Sequence, residues 1–153
     1  MKKLLLIALL IVGAYADELP LKSEILKMNN QQKDSLYYSH DKNTALAILL
    51  NIIPSLGHIY TGNWIRGLSI FSLQFGGSQL INKETRYNEN IDTWNYGFAY
   101  TMFWIFLSHQ DVNYLSEKHN TVLYEYIYDK KYPKEPKKSI IQIMIDKKEA
   151  KTN

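Results

Sequence analysis

Residues 44–60 (TALAILLNIIPSLGHIY) form a run of seventeen mostly apolar residues with no Asp, Glu, Lys or Arg. That length stands at the lower limit for a helix that crosses the hydrocarbon core of a bilayer, so the run needs cover from lipid or from protein. Two more apolar segments follow. Residues 64–81 carry Arg66, Gln74, Gln79 and the pair Gly76 and Gly77, and residues 94–107 are rich in aromatic side chains. The second would insert poorly alone, but a tight turn from the first makes a hairpin in which Ser, Gly and Gln face a partner helix rather than lipid. The expectation is a mainly α protein: a membrane helical hairpin plus a third apolar helix. Apolar helices of 14 to 18 residues also suit the core of a soluble helical bundle, which is the competing reading.

The N-terminus supports the membrane or envelope context. Met1, Lys2 and Lys3 supply a basic start, residues 4–13 an apolar stretch, and Ala14, Tyr15 and Ala16 an A-x-A cleavage site. This is the layout of a bacterial secretory signal, and its apolar run is too short for a permanent span. Cleavage after Ala16 is expected, with an uncleaved signal anchor as the alternative. The mature chain then divides into a polar periplasmic arm (17–43), a membrane helical domain (44–120) and a Lys-rich tail (121–153), located in the bacterial inner membrane or, on the soluble reading, in the periplasm.

Composition excludes several function classes. The 153 residues contain no Cys, which removes disulfide scaffolds, thiolate zinc sites and cysteine nucleophiles. The net charge of +3 is interspersed rather than gathered into a stripe, so nucleic acid is not an expected partner. No G-x-S-x-G, phosphate-binding loop or glycine-rich dinucleotide turn occurs. His58, His109, Asp111 and His119 lack metal-ligand spacing, so no metal and no cofactor is expected.

In the arm, Leu21, Ile25, Met28 and Leu36 have roughly helical spacing after Pro20, while residues 29–32 (NNQQ) weaken helix propensity. In the tail, residues 122–128 (VLYEYIY) and 140–145 (IIQIMI) are β-branched and aromatic. They read as a short C-terminal β-hairpin with Tyr124, Tyr126 and Tyr128 on one face, or as a continuation of the third helix through Tyr128. An exterior arm followed by three crossings places the tail inside. Nine Lys after Gln110, against Lys83 and Arg86 in residues 82–93, agree with that bias.

The most specific spacing is Pro54, Gly57, His58, Tyr60, Gly62, Trp64, Arg66 and Gly67. Gly62 suits a turn with positive φ, Gly57 and Gly67 allow close backbone approach, and Tyr60 suits an interfacial anchor. Arg66 either snorkels to the interface or pairs with Asp111, and His58 is expected to bond a carbonyl freed by the Pro54 kink. Three crossings would gather His58, Tyr60, Arg66, His109 and Asp111 at one level. Over residues 37–120 the chain resembles small prokaryotic membrane proteins with a P-x-x-G-H/Q-x-Y-x-G-x-x-x-x-G hairpin, similar in style to the TM-two domain. Asp111 and Asn120 look like the Asp and Asn that end the aromatic helix in such proteins. The resemblance implies membrane helices and no known catalysis.

These features favour a structural or interaction protein of the envelope, not an enzyme, with the lipid bilayer and other envelope proteins as partners and no oligomeric state specified. One alternative is a small transport component using Arg66, Gln74, Gln79 and His58 as a polar path. Another is a soluble periplasmic helical module.

Overall fold

The computed structural model describes residues 19–87 and 91–152. Its elements are α1 (Lys22–Ile25), α2 (Asn30–His40), α3 (Thr44–Leu50), α4 (Leu56–Tyr60), α5 (Trp64–Tyr87), α6 (Ile91–Tyr128) and α7 (Ile140–Glu149). No strand occurs among the described residues. The expected signal lies outside them.

The spine is α6. At 38 residues and 1.5 Å per residue it is roughly 57 Å long, and every other helix packs along it. Three apolar clusters follow its length. Leu107 packs with Ile70 of α5 and Ile141 of α7; Val112 with Ala47 and Tyr60; Leu123 and Ile127 with Ile25 of α1. Near the last, Lys22 Nζ donates to the Tyr126 carbonyl at 2.6 Å and the Tyr126 hydroxyl to the Pro20 carbonyl at 3.1 Å, which fastens the arm to the end of α6. The arm and the C-terminal half of α6 therefore share one end of the molecule. This removes the three-crossing arrangement, which put them on opposite sides.

Residues 44–60 do not form one helix. Helix α3 stops after seven residues, and the chain turns through residues 51–55 before α4 begins. Pro54 cannot donate to a helix ladder, and Ser55 follows with φ 74°, a left-handed conformation that ends any continuous run. Gly57 makes the fold-back compact. A Cβ there would lie 2.5 Å from the Ala47 carbonyl oxygen and 2.7 Å from Asn51 Cβ, so only hydrogen fits between α4 and α3. Gly62, at φ 80°, makes the turn into α5.

Two other local expectations change. Residues 29–32 start a helix instead of weakening one: Asn29 Oδ1 accepts from the Gln32 N–H at 2.9 Å and Gln32 Oε1 from the Asn29 N–H at 2.9 Å, a reciprocal capping box. The C-terminal hairpin is absent because residues 122–128 finish α6 and residues 140–145 begin α7. In a helix, Tyr124 and Tyr128 share a face at i, i+4, their rings 4.6 Å apart, while Tyr126 points to α1. Asp129 then adopts φ 56° and closes α6.

Among the described residues, no helix is both long and apolar enough to cross a membrane. The apolar side chains are unevenly covered, however. Leu49 on α3, Ile52 and Ile53 just after it, Leu68, Phe71 and Phe75 on α5, and Phe98, Phe103 and Phe106 on α6 are all exposed, whereas Gln74 and Ser108 on the same two long helices are buried.

The glycines supply a test of this packing. Gly57→Ala is expected to destabilise the protein by about 1–3 kcal/mol, because backbone must move to admit the methyl group. Gly76→Ala, in open space within α5, should stabilise it by about 1 kcal/mol through helix propensity. Thermal unfolding of both variants checks the pair, and equal effects would contradict the fold-back.

Candidate functional site: a buried carboxylate joining four helices

Asp111 is fully buried on α6, where an ionised carboxylate is tolerated only with its oxygens satisfied. Four donors reach it. Arg66 Nε donates to Oδ2 at 2.6 Å and Arg66 Nη2 to Oδ1, a bidentate pair from α5. His58 Nε2 on α4 lies 3.2 Å from Oδ2, and facing a carboxylate it carries the proton and donates. The Ser139 hydroxyl donates to Oδ1. Burial alone would raise the Asp111 pKa, but the bonds from His58 and Ser139 and the Arg66 charge outweigh it and hold the carboxyl below the usual range.

Local structure explains each donor. Arg66 lies in the first turn of α5, just after the Gly62 turn, and its side chain is 17% exposed. Gly67 lets α4 approach: a Cβ there would stand 2.8 Å from His58 Cβ. Ser55, in its left-handed conformation, donates its hydroxyl to the Gly67 carbonyl at 2.5 Å and fixes that approach. Ser139 caps α7, its Oγ accepting from the Gln142 N–H at 3.0 Å. Gln142 Oε1 then accepts from Arg66 Nη1 at 2.8 Å, and Gln142 Nε2 donates to Asp146 at 2.6 Å. Arg66 is thus committed to Asp111 and α7 rather than snorkelling.

The expected assembly is met in part. His58, Arg66 and Asp111 meet, but His109 bonds the Ile105 carbonyl of its own helix at 2.8 Å. Tyr60 is buried rather than interfacial: its hydroxyl accepts from the Asn43 N–H at 3.0 Å, and Lys42 Nζ stands 5.0 Å from its ring centre. His58 bonds the carboxylate instead of a freed carbonyl, since the charged acceptor is the stronger partner. Its Nδ1 is buried without a hydrogen-bond partner. Trp64 is exposed at the start of α5, and Pro54 lies in the turn between α3 and α4. Asn120 lies elsewhere, clamping the Lys42 backbone with both ends of its amide, at 2.6 and 2.9 Å.

Ser139, Gln142 and the buried bond from Asn51 Nδ2 to Ser108 Oγ at 2.8 Å escaped the sequence reading. The S-x-x-Q signature at Ser139 and Gln142, ahead of an apolar run, is a helix-start signal that would have revealed the cap. Nothing local in the sequence announces the bond to Asp111.

Chemically, the cluster is closed. The Ser139 hydroxyl donates to Asp111 and not to His58, and all four carboxylate bonds are internal. Gln74 is buried while Gln79 is exposed, so the two do not line one path. Among the described residues no group of three or more His, Asp or Glu is placed to hold a metal ion. Compared with known proteins, the chain matches no family model, no curated protein and no solved structure.

Two tests follow from this geometry. Asp111→Asn leaves Arg66 without its counter-charge and is expected to cost about 3–5 kcal/mol, whereas the double replacement Arg66→Met with Asp111→Leu recovers most of that loss. Thermal unfolding reads both, and an additive double variant would refute a shared network. The second test is pH. Burial keeps half-buried His119 from protonating, with Lys42 nearby adding to the effect, so its pKa lies below 6.5. An unfolded His119 binds its proton first, so stability falls as pH drops below about 6.5. Asp111 has a lowered pKa, so its contribution persists from neutral pH and is lost only on acidification through its folded value, below 3.8. Melting temperature against pH should show both steps; His119→Gln should remove the upper one alone, and Asp111→Asn the lower.

Proposed function

We propose that this chain is a small helical membrane protein of the bacterial envelope with a structural or interaction role, anchored by the α5–α6 hairpin. The observation that carries the reading is the exposed apolar surface of that hairpin: Leu68, Phe71, Phe75, Phe103 and Phe106 face outward, while Gln74 and Ser108 are buried along with Ile70 and Leu107. Exposed apolar area of this extent needs an apolar medium, and polar side chains between paired helices are what such a medium favours. Among the described residues neither α5 nor α6 is long and apolar enough to span alone. A pair can insert where neither half would alone.

Because the arm packs on the end of α6, a hairpin anchor leaves both polar ends on one side of the membrane. Read as a secretory leader, the basic, apolar and A-x-A pattern of residues 1–16 supports a periplasmic side for an inner-membrane protein. The fully bonded Asp111 carboxylate serves as a structural lock under this reading.

Alkaline carbonate extraction of membranes tests the anchor: the protein should stay with the pellet, and release into the supernatant would support a soluble periplasmic module instead. Single cysteines test the sidedness in a chain that has none. An impermeant thiol reagent on whole cells permeable to the periplasm should label Asn29→Cys and Lys138→Cys but not Asn88→Cys. Labelling of Asn29→Cys without Lys138→Cys would overturn the shared side.

A further inference from the structure

Between α5 and α7 lies a groove of about 590 Å³, within the size range of small-molecule sites. Its α5 wall includes Ile70 and Leu73, and Trp104 of α6 contributes to the lining. Helix α7 supplies Ile141, Met144, Ile145 and Lys148, the i, i+3, i+4, i+7 stripe of one helical face. That stripe is apolar over its first turn and cationic one turn further on.

Charge gives the groove a direction. Arg66, also in the lining, is neutralised by Asp111, and Asp146 is engaged by Lys138 at 2.7 Å. Lys148 is exposed on the groove wall beside Lys147. Lys147, Lys148 and Lys151 stand against Glu149 at the C-terminal end of α7, so this end of the groove is cationic. On the neighbouring face of α7, Ile140 and Ile143 are exposed as well, at 44% and 41%. An amphipathic helix with exposed Ile beside a Lys-bearing turn suits a membrane interface whose lipids are anionic.

We propose that the groove holds one acyl chain of an anionic phospholipid, with its phosphate at Lys148. The inference rests on the membrane reading above, which supplies the lipid. The chain would run along Ile70, Leu73, Met144 and Ile145, and Trp104 would report its presence.

The test uses the full chain purified in a neutral detergent, with Trp64→Phe and Trp94→Phe so that Trp104 is the sole tryptophan. Phosphatidylglycerol with dibrominated acyl chains, or the matching phosphatidylcholine, is titrated into the micelles while Trp104 fluorescence is followed. Saturable quenching is expected, with about five-fold tighter apparent binding of phosphatidylglycerol, the preference one interfacial Lys supplies. Lys148→Gln, at an exposed position, should abolish the preference and leave quenching by phosphatidylcholine unchanged. Ser69→Phe, which fills the groove from an exposed position of α5, should weaken quenching by both lipids. Linear, equal quenching by the two lipids, or a preference that survives Lys148→Gln, overturns the proposal. Carbonate extraction separates the two readings: no preference in a protein that stays in the pellet rejects the lipid site alone. A preference in a protein that is released retains the site and rejects the anchor.

Discussion

The Asp111 carboxylate is the constraint around which the molecule is arranged. A buried negative charge is costly, and here its four acceptor positions are met by donors from α4, α5 and the start of α7. Each donor comes from a short or terminal segment that would otherwise be poorly held. Helix α4 has five residues and α7 ten, so neither is expected to persist without tertiary contacts. Satisfying one carboxylate therefore fixes the crossing of α5 and α6, the fold-back of α4 and the docking of α7 together.

The network also explains the spacing of the glycine motif. His58 reaches Asp111 only because Gly57 lets α4 lie on α3, and Gly67 lets the start of α5 lie on α4. The Gly62 turn between them sets Arg66 on the same side as His58. Three glycines, one left-handed Ser55 and one proline thus serve a single purpose, the convergence of two donors on one acceptor. A buried ion pair of this kind does not by itself make a protein more stable than a well-packed apolar core would. Its value lies in specifying one arrangement, since slippage of any helix leaves a charge without a partner.

The two ends of α6 have different surroundings. From Asp111 to Tyr128 the helix packs with α1, α2 and α3, and its buried residues are those of an ordinary core, whereas α7 packs at Leu107. Before Asp111 the exposed side chains are aromatic and aliphatic, and the inward ones include Ser108. The Asp111 network stands at the boundary between the two halves. That position suits a joint that holds a polar head on an apolar stem.

Much of this was legible in the sequence, and the failures have physical causes. The helical class, the positive φ at Gly62 and the close approach at Gly57 and Gly67 follow from residue type and spacing, whereas the pairing of Arg66 with Asp111 is one of two readings, beside snorkelling. Apolar periodicity was misleading where cover came from elsewhere. Residues 44–60 look like one span because hydropathy ignores the break at Pro54 and Ser55, and residues 140–145 look like a strand because they are rich in β-branched side chains, although Ser139 caps them as a helix. The sequence by itself determined which residues could turn, approach closely or carry charge, since these are properties of single side chains and their near neighbours. Only the tertiary structure decided that α7 returns to Asp111 and that the arm joins the far end of α6, because both depend on contacts between residues 28 to 106 positions apart.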